Sequence, residues 1–191
     1  MQKLFVISFL LLLISVTTFS QVYNTGTVTT GSKIWELGGE YQYNCGHNLS
    51  QNDIGIRYDG FQNRNNWNIG ILFDCGHTKS KDGNKESGIG ISAGYRYGFS
   101  YGNHGNLFGG VRATFEFDKW KDKDGKEISK ETVFVPKIET GYQYIFGTTG
   151  HIYTTPSIGF GYGIKLNATG TETKADEGGR FIPSISMGYR F

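Results

Sequence analysis

The stretch Ile89-Gly90-Ile91-Ser92-Ala93-Gly94-Tyr95-Arg96-Tyr97-Gly98-Phe99-Ser100-Tyr101 decides the fold. Every odd position is apolar or aromatic, and every even position is Gly, Ser or Arg. Successive side chains of a β-strand point to opposite faces, so a period of two marks a strand lying between two different surroundings. A helix would need its apolar residues at spacings of three and four.

Seven further segments repeat the pattern. The first sets Trp35, Leu37, Gly39, Tyr41 and Tyr43 against Glu36, Gly38, Glu40 and Gln42. The second sets Ile54, Ile56 and Tyr58 against Asp53, Gly55, Arg57 and Asp59. The third sets Trp67, Ile69, Ile71 and Phe73 against Asn66, Asn68 and Gly70, with Leu72 breaking the rule. After the quoted stretch come Leu107, Val111, Ala113, Phe115 and Phe117 against Gly110, Arg112, Thr114 and Glu116. The sixth opposes Phe134, Ile138, Tyr142, Tyr144 and Phe146 to Lys137, Glu139, Gly141 and Gln143. The seventh opposes Ile152, Ile158, Phe160, Tyr162, Ile164 and Leu166 to Ser157, Gly159, Gly161, Gly163 and Lys165. The last opposes Phe181, Ile185, Met187, Tyr189 and Phe191 to Ser184, Ser186, Gly188 and Arg190. Each run approaches the roughly 9–11 residues that a tilted strand needs to cross hydrocarbon. An even strand number suits a closed single-chain barrel, and closure leaves no unpaired edge in lipid.

Composition agrees. The chain carries 29 Gly, 14 Phe and 12 Tyr, while only five Leu and four Ala follow residue 20. That mixture disfavours helices and favours a pleated surface. The first 20 residues stand apart. Lys3 precedes an almost unbroken apolar run from Leu4 to Val16, and Thr18-Phe19-Ser20 places small residues before Gln21. This is the pattern of a secretory signal peptide, too short for a comfortable helical span. Residues 1–20 are therefore expected to be a cleaved leader, 21–32 a periplasmic segment and 33–191 the barrel. Beyond Ser20 the charges number 18 basic and 17 acidic, with no concentrated basic excess. No nucleic-acid partner is expected.

Parity alone does not say which face meets lipid, since a soluble barrel turns its apolar face inward. Three features favour lipid outside. The polar face is rich in Gly and Ser, suiting the narrow lumen of eight strands. It also carries Glu36, Glu40, Asp53, Asp59, Glu116 and Glu139 against Arg57, Arg96, Arg112, Lys137, Lys165 and Arg190. Equal numbers of opposite sign are what an enclosed interior requires. The aromatics also fall toward the two ends of the segments, as in the interfacial girdles of membrane barrels.

The closing Ser186-Met187-Gly188-Tyr189-Arg190-Phe191 resembles the C-terminal signal of outer-membrane barrels, with Met187, Tyr189 and Phe191 at alternate positions. The chain beyond residue 20 resembles the small OmpA/OmpX-type barrels, including the outer membrane protein β-barrel domain group. The resemblance implies an eight-stranded antiparallel up-and-down transmembrane barrel in a bacterial outer membrane. It also implies assembly by the barrel-assembly machinery.

The connections add an orientation. Short ones hold Gln62-Asn63-Arg64, Gly102-Asn103-His104-Gly105 and Gly147-Thr148-Thr149-Gly150; longer or more charged ones span Cys45–Gln51, His77–Ser87, Asp118–Lys130 and Asn167–Gly179. Short turns on one side and long loops on the other put the long loops outside the cell. Pro136, Pro156 and Pro183 lie inside proposed strands, where proline removes a ladder donor, and Pro156 is expected to mark a bulge.

Few residues suggest chemistry. Asn44-Cys45-Gly46-His47 and Asp74-Cys75-Gly76-His77 form a local repeat. In an exported protein Cys45 and Cys75 are candidates for a disulfide. Two strands with a third between them lie about 10 Å apart, beyond the bridging distance unless the loops bend together. Two free thiols, or a metal site of Cys45, His47, Cys75 and His77, are the alternatives. Asp122-Lys123-Asp124-Gly125 with Glu131 partly matches a calcium loop, but Trp120 occupies the position of the first carboxylate. A lipid-modifying barrel enzyme would need His, Ser and an acid together near the outer rim; no His-x-Ser pair lies on a lipid-facing strand. The expectation is a non-enzymatic barrel without cofactor. Its polar interior is plugged, its wall meets outer-membrane lipid, and its loops serve envelope structure, adhesion or ligand binding. A narrow channel is the alternative.

Overall fold

The computed structural model describes residues 33–46, 49–75, 79–80, 84–102, 105–147, 150–170 and 177–191. The leader, residues 21–32, His47, His77 and His104 lie outside these. Eight long strands follow one another: β1 (Lys33–Gly46), β2 (Leu49–Gln62), β3 (Asn65–Asp74), β4 (Lys85–Gly102), β5 (Gly105–Lys121), β6 (Glu127–Phe146), β7 (Ile152–Gly170) and β8 (Gly178–Arg190). Each pairs antiparallel with its neighbours in sequence, and β1 pairs with β8, so the sheet closes into the expected eight-stranded barrel. The closing seam runs from Gly46↔Arg180 to Glu36↔Arg190. It continues through reciprocal backbone bonds between Trp35 and Phe191, at 3.1 and 2.9 Å.

Alternation becomes an inside and an outside. Ile56, Ile91, Val111 and Ile138 each expose more than half of their surface, whereas Glu36, Arg57 and Asp59 are 0–1 % exposed. The apolar face therefore points outward on all sides, the reverse of a soluble barrel, and a continuous apolar wall of this kind requires a lipid environment.

The sheet departs from the sequence reading in two places. The connection expected over Cys45–Gln51 is mostly strand, because β1 and β2 stay paired as far as Cys45↔Ser50. The β5 and β6 strands likewise reach Lys121 and Glu127, closing a five-residue tip. A short bridge at Lys79–Ser80 pairs with Leu49–Ser50 and with Lys85, tying the β3–β4 connection to the first hairpin.

The second departure concerns the prolines. Pro156 marks no bulge. It pairs with Ile185 of β8, while the β6–β7 ladder passes from Gly141↔Ser157 to Tyr144↔Thr154 without changing register. Pro136 pairs with Ala113 and Pro183 with Ile158 in the same one-sided manner. The missing N–H thus falls on one side of each strand, and the ladder skips a pair there without slipping. The register shifts lie elsewhere, at Gly98/Ser100, Trp120/Lys121 and Thr132/Val133.

Among the turns, β2–β3 closes at Gln62↔Asn65 with Asn63 at φ 56°, a left-handed conformation that asparagine tolerates. In the β5–β6 tip, the Asp122 carboxylate accepts backbone N–H bonds from Asp124 and Lys126, both at 2.9 Å. That carboxylate caps its own turn. Trp120 and Glu131 point into the barrel, so the calcium-loop arrangement does not form.

Candidate functional site

The lumen holds the densest polar chemistry. Arg57, Arg96, Arg112, Lys137, Glu36, Glu40, Asp53, Asp59, Glu116 and Glu139 are buried, and Lys165 and Arg190 are largely covered. At the end of the barrel that holds the C-terminus, Glu36 of β1 accepts bonds from Arg190 Nε of β8 at 2.8 Å and from Gln143 Nε2 of β6 at 2.8 Å. Arg190 lies 5.7 Å from the Phe61 ring centroid. Next comes a belt of guanidinium–carboxylate pairs. Arg57 Nε meets Asp59 at 2.7 Å, Arg96 Nε meets Glu139 at 2.5 Å, and the Arg96 guanidinium lies 4.4 Å from the centre of the Phe108 ring.

Glu40 occupies the centre. Its two oxygens accept Arg112 Nη1 and Nη2, each at 2.7 Å, and Arg57 Nη1 approaches at 3.3 Å. Since β1 and β5 are four strands apart around the ring, this fork spans the full bore. Lys137 of β6 donates to Gln42 of β1 at 2.8 Å and adds a further crossing. Bidentate, charge-assisted bonds are short and directional, so they hold opposing walls in one geometry.

Beyond the centre the interior is not purely polar, contrary to the balanced-charge picture. Val133, Val135 and Ile182 form a buried apolar cluster. On β6 this cluster separates Lys137 and Glu139 from Glu131, and on β8 Ile182 separates Ser184 from Arg180. Leu72, which broke the alternation of the third segment, is buried because it too faces inward. Further out, Arg180 pairs with Glu116 at 2.8 Å, Lys165 with Glu131 at 2.8 Å, and Asn44 donates to Asp53 at 2.6 Å. Trp120 is fully buried against Leu49, with Ile128 beside them. Glu86, Asp118, Glu131 and Arg180 belong to the interior and escaped the sequence reading. Parity could have found them, since Asp118 and Trp120 continue the register of Arg112, Thr114 and Glu116. Glu86 and Asp118 lie in segments that read as loops, and Glu131 and Arg180 directly follow such segments. Their inclusion makes acids outnumber bases inside, so the even count does not hold.

Cys45 sits at the end of β1, and Cys75 follows β3 with β2 between. Both are exposed and no disulfide joins them. Cys75 N–H donates to the Asn52 carbonyl at 2.8 Å. Burial, reinforced by the carboxylates of Asp53 and Asp74, pushes the Cys75 thiol up from its ordinary range. Among the described residues no three His, Cys, Asp or Glu side chains form a metal-holding group. Met187 and Tyr189 of β8 and the following Phe191 all face outward at the closing seam. On the same outer surface Trp35, Tyr58 and Trp67 pack together, with ring centroids 5.2–5.9 Å apart.

No protein-family model and no curated protein matches the chain. Solved structures do. The N-terminal β-barrel domain of Pseudomonas aeruginosa OprF is 13 % identical; the match covers 84 % of this chain and 99 % of that one, with a TM-score of 0.61. Neisserial surface protein A is 14 % identical over 83 % of this chain and 95 % of that one, with a TM-score of 0.55. Ail, the attachment invasion locus protein of Yersinia pestis, solved with the heparin analogue sucrose octasulfate, is 13 % identical over 85 % of this chain and all of that one, with a TM-score of 0.51. At such identities the likeness speaks for the fold, and that fold is the small eight-stranded barrel of bacterial outer-membrane proteins.

Proposed function

We propose that this protein is a plugged outer-membrane barrel, exported behind a cleaved leader, whose rigid wall displays its outer strand ends and connections for envelope structure, adhesion or ligand binding. The supporting observation is the Arg112–Glu40 fork, which crosses the bore from β5 to β1 with both side chains buried. The buried apolar cluster of Val133, Val135 and Ile182 adds interior side chains that offer an ion no ligand. At the inner mouth a cavity lined by Phe61, Asn66, Arg96, Phe108 and Gln143 has a volume of 10 Å³, about one water. Transport and catalysis are not part of this reading. The similar solved barrels include, by name, a surface protein and an attachment protein.

Planar-bilayer recording of the refolded protein tests the plug. No stable conductance step is expected; reproducible unitary openings would replace this reading with that of a narrow channel.

A further inference from the structure

The outer ends of β4, β5 and β6 sort their charges by face. On β4 Lys85 is exposed outward and Glu86 is buried inward. On β5 Asp118 points in, while Lys119 and Lys121 point out on either side of the buried Trp120. On β6 Lys130 points out and Glu131 points in. The register then brings the lysines together across strands, with Lys85 opposite Lys121 and Lys119 opposite Lys130. Like charges directly opposite on neighbouring strands destabilise a sheet, because the strands are only about 4.8 Å apart. Glu127 relieves part of this, pairing with Lys130 at 3.2 Å. Among the described residues no ion pair holds Lys85, Lys119 or Lys121.

The position of the patch narrows what could relieve the rest. Along β5 the lysines continue directly from the outward Phe115 and Phe117, so Lys119 stands about 7 Å along the strand beyond the last ring. Aromatic rings of a membrane barrel sit at the headgroup boundary, and lysines just beyond reach the charged headgroup layer. The ammonium groups point sideways from the wall rather than up from the tip. A ligand reaching them must lie beside the barrel, where the membrane is. The opposite sector differs. At the outer ends of β1, β2 and β3 the outward residues are Tyr43, Cys45, Ser50, Asn52 and Phe73, none of them charged, and the neighbouring bridge places Lys79 opposite Ser50 and Lys85.

We propose that Lys85, Lys119, Lys121 and Lys130 form a lateral site for a phosphate-bearing lipid headgroup of the leaflet that surrounds the outer end of the barrel. The proposal rests on the orientation given above, with the β5–β6 tip outside the cell. Phosphate supplies the missing counter-charge, and several ammonium groups around it act together, each contributing electrostatically at the membrane surface. Apart from Glu127, the carboxylates of these strand ends, Glu86, Asp118 and Glu131, are buried in the lumen and do not compete for the site.

The test uses the full-length mature protein folded in octyl glucoside micelles, with lipid retention read by native mass spectrometry. The probe is bisphosphorylated lipid A, compared with lipid A lacking both phosphates, heparin octasaccharide and inorganic phosphate. Wild type should retain the bisphosphorylated lipid. Replacing the four lysines together by glutamine should weaken retention about tenfold or more, while Lys123→Gln with Lys126→Gln at the turn should leave it unchanged. Heat-modifiable migration of each variant reports that it is folded. Equal retention by the four-lysine variant, equal binding of the phosphate-free lipid, or full competition by millimolar inorganic phosphate would overturn the proposal. Lysine-dependent binding of heparin alone would overturn it in favour of a sulfated polysaccharide. Proteolysis of the 121–127 turn on intact cells reads orientation separately, so a failure there leaves the micelle result standing.

Discussion

Replacing Glu40 by alanine should be among the most damaging single changes in the barrel. Its carboxylate holds both Nη atoms of Arg112 at 2.7 Å and Nη1 of Arg57 at 3.3 Å, with all three side chains at most 1 % exposed. Arg57 would keep Asp59 at 2.7 Å, but Arg112 would lose the only ion-pair partner it has among the described residues. Breaking a buried pair from one side typically costs about 3–5 kcal/mol, because a desolvated charge is left behind. The exposed Glu127–Lys130 pair, 46 % and 57 % exposed, provides the control; removing such a pair costs about 0–1 kcal/mol. Urea unfolding in lipid vesicles, followed by tryptophan fluorescence, should therefore separate Glu40→Ala from Glu127→Ala by about 3 kcal/mol. Removing both partners, as Glu40→Met with Arg112→Met, should recover about 1–3 kcal/mol of the summed single losses, since no orphaned charge remains. The reasoning fails if Glu40→Ala unfolds within about 1 kcal/mol of Glu127→Ala, or if the two methionine changes simply add.

Three further outcomes follow from other parts of the barrel. A Cβ on Gly60 would stand 2.4 Å from the Trp67 ring and 2.7 Å from that of Trp35, so Gly60→Ala should break the Trp35–Tyr58–Trp67 cluster and diminish its near-ultraviolet circular dichroism; an unchanged spectrum would contradict this. Trp120→Ala opens the buried contact with Leu49 and Ile128 and should cost about 3–5 kcal/mol in the same urea assay, more than any change at the 122–126 tip. In a Cys45→Ser background, Cys75 should alkylate with a pH midpoint above that of a peptide thiol. Its raised pKa means that less thiolate is present at any given pH, and a midpoint at or below the peptide value would refute it.

How much of this was legible beforehand depends on the range of the interaction. The quoted stretch from Ile89 to Tyr101 shows its two faces through nearest-neighbour chemistry, and the outward residues from Ile89 to Phe99 can be named from it; at the register shift between Gly98 and Ser100 the parity fails, and Ser100 is exposed beside Phe99. The inner charges named in advance share their strands with Gly and Ser, and the same parity reveals them. The strand ends were harder. Asp118 and Trp120 sit in hydrophilic, charge-rich sequence that reads as loop, and Glu131 and Arg180 sit directly at the ends of such stretches. Only pairing with neighbouring strands, Asp118↔Glu131 and Arg180↔Gly161, carries the sheet that far. The prolines misled for a related reason. Whether a missing N–H disrupts a ladder depends on which neighbour it faces, and a single strand does not contain that information.

Taken alone, the sequence determines the period, the number of staves and the chemical character of the two faces, because these depend on residues one or two places apart. The partners across the lumen were settled only by closure. Glu40 meets Arg112 across 72 positions and Glu36 meets Arg190 across 154, and both contacts follow from the stagger accumulated around all eight strands. Stagger is a property of the whole ring, set by how every hairpin registers with the next. No local stretch encodes it, so the contacts that cross the bore and the lysines that meet on the outer wall exist only in the closed structure.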